Sequence, residues 1–184
     1  QGAAAAEPRG LHAPDSRFAV RALVVGGGSC RGLELTRALT ADGHAVRVVT
    51  RTEARRAQIE AAGAECWIGT PDAIGTLRYA LDNVTVLLWL LGTAEGGDVT
   101  ALHGSRLTMM LERVTDSTVR GVVYEAAGTV AASALQAGAH EIREANRKNE
   151  IPFRMLTADP RGDRDAWLAA TLELIGSLLG AKRA

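Results

Sequence analysis

The chain has 184 residues, 47% of them hydrophobic and 23% charged, the balance of a globular domain large enough to bury its own core. Lys plus Arg number 21 and Asp plus Glu 21, so no basic excess points to nucleic acid. No apolar run approaches the roughly 18 residues of a membrane span, and the longest, Val84 to Leu91, is strand-sized.

Residues 1–17 are rich in Ala, Pro, Gly and charge and lack the long apolar stretch of a secretory signal. They read as a floppy tail before one domain over residues 18–184. Val20 to Val25 is a short, β-branched, buried strand that runs into Gly26-Gly27-Gly28. Arg31 to Ala41 places Leu33, Leu35, Ala38 and Leu39 at helical spacing, and Gly43 ends that helix. Ala45 to Val49 is the second strand, Glu53 to Ala62 the second helix and Ala64 to Ile68 the third strand. Thr70-Pro71-Asp72 has the form of a helix start, with Thr as N-cap, Pro next and an acid in the first turn, and predicts a helix to about Leu81.

Val84 to Leu91 is apolar on both faces, as in the middle of a parallel sheet. A loop from Gly92 to Gly97 leads to one long helix, Val99 to Val114. Gly121 to Tyr124 is strand five, Ser133 to Lys148 a helix, Pro152 to Leu156 strand six and Arg164 to Leu179 the closing helix. Six alternations of strand and helix specify an α/β Rossmann-type fold, a doubly wound parallel sheet with helices on both faces. Trp67, Trp89 and Trp167 read as core or interface residues, and Tyr124 as core. The last helix is apolar over a wide surface (Trp167, Leu168, Leu172, Ile175, Leu178, Leu179), enough for the sheet and for a homodimer contact. Cys30 and Cys66 have no metal-ligand spacing and read as reduced thiols of a cytoplasmic protein.

The first strand-to-helix turn, VVGGGSCRG from Val24 to Gly32, has the form of a phosphate-binding loop. Gly26 makes the tight turn, Gly27 and Gly28 open the backbone to a pyrophosphate, and Gly32 lets the helix pack on the sheet. Ser29 stands where the common fingerprint has its middle Gly. The second strand ends Val49-Thr50-Arg51, with no carboxylate for a ribose 2′-hydroxyl before Glu53. Arg51 offers a planar fork to a 2′-phosphate, and Arg31 offers a second from the loop, so NADP(H) is favoured over NAD(H). Arg51, Arg55 and Arg56 form a local cluster suited to an anion.

From about Val20 to Pro160 the chain resembles the atypical, NmrA-like branch of the short-chain dehydrogenase/reductase superfamily. The resemblance is carried by VVGGGSCRG, VVTR, AAGAECWIGTPDAIGTLRYALDNVTVLLWLLGTA and IPFRMLTADP. It implies that Gly26, Gly28, Ser29, Cys30 and Gly32 line the phosphates and that Arg51 meets the adenosine end. It implies further that Leu91, Gly92 and Thr93 pass the nicotinamide-side ribose and that Ala126 and Ala127 lie under the ring. Thr70 stands where the family often has an Asp for the adenine.

The best-known members use a Ser after strand five and a Tyr-xxx-Lys pair on the next helix. Here the Ser position reads Glu125-Ala126-Ala127 and the helix offers no such pair. His140 falls near the Tyr place, with Glu144 one turn on, and is one candidate proton donor; the alternative is a surface or ribose-contact His. Glu125, a carboxylate at the end of a buried strand, is the other candidate, or else a structural partner for an arginine. The expected function is that of an NADPH-dependent oxidoreductase acting on a flavin, quinone or carbonyl. The alternative is a non-catalytic NADP(H) sensor.

Overall fold

The computed structural model describes residues 19–180, so the expected tail over residues 1–17 lies outside the described residues. Six parallel strands stand in the order β3-β2-β1-β4-β5-β6. They are β1 (Arg21–Val25), β2 (Ala45–Thr50), β3 (Glu65–Ile68), β4 (Val86–Trp89), β5 (Gly121–Glu125) and β6 (Phe153–Leu156). The helices are α1 (Cys30–Ala41), α2 (Arg56–Ala61), α3 (Val99–Leu102), α4 (Ser105–Thr115), α5 (Ala132–Asn149) and α6 (Arg164–Gly180). Strand order reverses between β1 and β4, which pair from Ala22 with Val86 to Val25 with Trp89. The loops leaving those two strands therefore diverge and open a crevice at the carboxyl edge.

Side-chain alternation divides the core in two. Leu23, Val25, Leu87, Trp89, Val122 and Tyr124 face Leu107, Met110 and Ile142 of α4 and α5. Ala22, Val24, Val48, Leu88 and Val123 face Leu35, Leu39, Ile59, Trp167 and Ile175 of α1, α2 and α6. All four residues of β4 are buried, as its apolar sequence requires. No described helix is long and apolar enough to cross a membrane.

Two predicted helices differ. Residues 70–81 form no α-helix but two 3-10 turns, Ile74–Leu77 and Tyr79–Leu81. The hydroxyl of Thr76 accepts from the Thr70 N–H at 2.9 Å and lies 2.7 Å from the Ala73 carbonyl, and Trp67 Nε1 donates to the Thr76 carbonyl at 2.9 Å. These bonds take the backbone groups a helical ladder needs. Ile74, Leu77, Ala80 and Leu81 are buried all the same. The helix expected from Val99 to Val114 is broken at His103-Gly104, where His103 turns inward and is fully buried.

Candidate cofactor site

β1 delivers the chain into the glycine loop with Gly26 at φ +91°, where a Cβ would collide with the Leu90 carbonyl oxygen. Only glycine suits that position. The next two glycines have separate tasks. A Cβ on Gly27 would lie 2.5 Å from Val24 Cγ1, so Gly27 is there for packing on β1. Gly28 has no atom within 4 Å of where its Cβ would stand. Gly32 sits against the Gly27 backbone, which sets α1 close over the loop.

Ser29 caps α1: its hydroxyl accepts from the Gly32 N–H at 3.1 Å. The N–H groups of Cys30 and Arg31 have no acceptor among the described residues. Orphan donors at a helix start, with open space over Gly28, are what a pyrophosphate needs. The residues present thus fit a dinucleotide.

Beyond β2, Arg51 is exposed, and its Nη2 lies 3.9 Å from Asp72 Oδ2. Arg55 reaches back over the loop and donates to the Gly28 carbonyl at 2.8 Å. Arg56 is held by Glu53 and Glu60. Arg31 is placed differently from its expected approach to a 2′-phosphate. Its Nη1 donates to the Pro160 carbonyl at 2.6 Å and its guanidinium stacks 4.9 Å from the Trp167 ring centroid. The guanidinium nearest the glycine loop from the β2 side is that of Arg55, bonded to the Gly28 carbonyl. The sequence showed Arg55 only as a member of a cluster, and Asp72 only as a helix-start acid.

On the other side of the crevice, the loops after β4 and β5 touch backbone to backbone. A Cβ on Gly92 would strike the Ala127 carbonyl, and one on Gly128 the Gly92 carbonyl. Leu91 and Gly92 are buried and Thr93 is half-buried. Glu125 is fully buried and accepts from the Gly92 N–H at 2.8 Å and from Trp167 Nε1 at 3.0 Å, with Arg31 Nη2 at 3.9 Å. Burial raises its pKa, while the bonds from Gly92 and Trp167 and the charge of Arg31 oppose the rise. Both carboxylate oxygens are engaged by the fold, which is the structural-partner alternative for Glu125.

His140 is exposed on α5 and is not among the residues that line the cleft beside Ala126. Glu144 is tied to Arg147 and Lys148, and the hydrogen bond from Arg147 lowers its pKa to about 2. The face of α5 that turns to Ala126 is one residue earlier in phase: Ala132, Leu135, Gln136, Ala139 and Arg143 line a cleft of about 240 Å³ with Ala126. A buried group missed from the sequence lies behind this site. His103 Nδ1 is 2.6 Å from the Tyr124 hydroxyl and Nε2 is 3.1 Å from the Leu91 carbonyl, so one imidazole ties α3, β5 and the loop after β4. The helical pattern of residues 99–114 gave no sign of an inward His. No cluster of metal-ligating side chains is found among the described residues.

No family model matches the chain, and no curated protein does. Solved structures do match. Pen from Bacillus thuringiensis is 13% identical with a TM-score of 0.68, covering 86% of this chain and 66% of its own. The Citrobacter triphenylmethane reductase, solved with NADP(H), is 20% identical with a TM-score of 0.58, covering 73% and 48%. Vestitone reductase from alfalfa is 14% identical with a TM-score of 0.57, covering 73% and 55%. The chain spans about half the length of the two reductases. Its fold, a six-stranded parallel sheet with helices on both faces, is the one these structures share.

Proposed function

We propose that the chain binds NADP(H) in preference to NAD(H) and serves as a reductase of a small flavin, quinone or carbonyl compound. The observation that carries this reading is the glycine loop at the strand-order reversal, with Gly28 facing open space and free N–H groups at the start of α1. Arg51 and Arg55 beyond the end of β2, where β2 itself supplies no carboxylate and Asp72 lies 3.9 Å from Arg51, favour the 2′-phosphate. Solved neighbours that carry NADP(H) support the same assignment. When bound, the cofactor supplies the electron pair and hydrogen for reduction. The chain positions it: Gly92 is fixed by Glu125, and Ala126 leaves room beside it.

The cleft lining holds no group that gives up a proton near neutral pH, which favours acceptors that take theirs from water. That same lining favours the second reading, a cofactor sensor without turnover. Titration with NADPH and NADH, followed by NADPH consumption with flavins, quinones and carbonyls, separates the readings. Turnover supports the reductase; tight binding without turnover supports the sensor. Absence of binding removes both.

A further inference from the structure

The cleft beside Ala126 has one charged side chain in its lining, Arg143, among four apolar residues and Gln136. Its volume of about 240 Å³ is below the usual range for drug-sized ligands, roughly 300–1,000 Å³, so it suits a small ring system.

The charge of Arg143 is uncompensated within the described residues. On α5 the residues three and four positions away are Ala139, His140, Asn146 and Arg147, none of them acidic. The two nearby acids are engaged elsewhere. Glu141 accepts from the Thr108 hydroxyl at 2.9 Å, and Glu144 pairs with Arg147 at 2.7 Å and Lys148 at 3.6 Å. The lining itself contains no carboxylate. Arg143 is exposed and has no side-chain partner among the described residues, so its guanidinium at the edge of the apolar cleft is free to present a planar fork to a carboxylate or sulfonate with two parallel hydrogen bonds.

We propose that this cleft receives a small planar acceptor bearing an anionic substituent, of the quinone carboxylate or sulfonate class, and that Arg143 selects it. The proposal rests on the reductase reading and adds the substrate's charge to it. Apolar Ala132, Leu135 and Ala139 of α5 hold the ring, across the cleft from Ala126, and Arg143 holds the anion.

The test is equilibrium dialysis of naphthoquinone sulfonate and of unsubstituted naphthoquinone against the NADP⁺-loaded chain. The sulfonate is expected to bind about tenfold more tightly than the neutral quinone. Arg143→Gln is expected to abolish that preference and leave the neutral quinone unchanged, Arg143→Lys to keep part of it, and added salt to erode it. Equal affinities in the wild type, a preference that survives Arg143→Gln, or no binding of either quinone would overturn the proposal. So would a loss of NADP⁺ affinity in Arg143→Gln without a change in quinone preference, because it would put the guanidinium on the cofactor. NADPH titrated against the wild-type chain alone keeps the two readings apart. No binding there sinks the reductase reading, whereas tight binding without a sulfonate preference sinks only the role of Arg143.

Discussion

Gly28 and Gly32 are two residues of one motif with opposite expected responses to a side chain. No atom lies within 4 Å of where a Gly28 Cβ would stand, so Gly28→Ala should fold with an unchanged melting temperature yet bind NADPH at least tenfold more weakly, a loss of about 1.4 kcal/mol. Gly32 lies on the Gly27 backbone, so Gly32→Ala should cost about 1–3 kcal/mol of stability in a thermal melt before any ligand is added. Arg51→Ala and Arg55→Ala should each weaken NADPH more than NADH; equal losses for both cofactors would remove the 2′-phosphate assignment. Glu125 gives a third contrast. Glu125→Ala strands the Gly92 and Trp167 N–H groups and the Arg31 charge in the core and should cost about 3 kcal/mol or more. Glu125→Gln keeps an acceptor for Gly92 and should retain turnover within a few-fold. A hundredfold fall in kcat with NADPH affinity intact would restore Glu125 as a proton donor.

Elements were legible in the sequence wherever a side-chain period alone decides them. The β-branched runs of β1, β2, β4 and β5 and the apolar spacing of α1, α5 and α6 gave the sheet, its helices and the crevice. Legibility failed where side chains capture backbone groups or turn inward against the local period. Thr76 and Trp67 converted an apparent helix into 3-10 turns, and His103 broke another. On α5 the cleft beside Ala126 is lined by Ala139 and Arg143, each one position, 100° of rotation, before His140 and Glu144. Gly138 records the true phase: a Cβ there would collide with the Tyr124 hydroxyl. Gly138→Ala should therefore push α5 off β5 and lower stability by about 1–3 kcal/mol in denaturant unfolding.

For the whole molecule, two buried ionisable groups give opposite pH dependences. Burial lowers the pKa of His103, outweighing its bond to the Leu91 carbonyl. The unfolded imidazole takes a proton near its ordinary 6.5 and the folded one only at lower pH. The contribution of neutral His103 is therefore full above about pH 6.5 and is lost as pH falls toward the folded value. Glu125, raised by burial, contributes at pH below its ordinary 4.5 and loses that contribution as pH rises through its folded value. Comparing stability at pH 7 and 5 in the wild type and in His103→Gln isolates the first. The variant should lose less on acidification, by up to about 1.4 kcal/mol per pH unit. Equal losses would show that His103 does not titrate with unfolding.

Arg31 gives the ends of the molecule a common fate. It belongs to the glycine loop, yet it is bonded to the Pro160 carbonyl 129 residues further along and stacked on Trp167 of α6, which itself holds Glu125 behind Gly92. A ligand that stills the loop must also still the last helix, and the exchange is reciprocal. Amide hydrogens of α6 should therefore exchange more slowly when NADPH is bound, although they lie on a helix that no part of the dinucleotide is expected to touch.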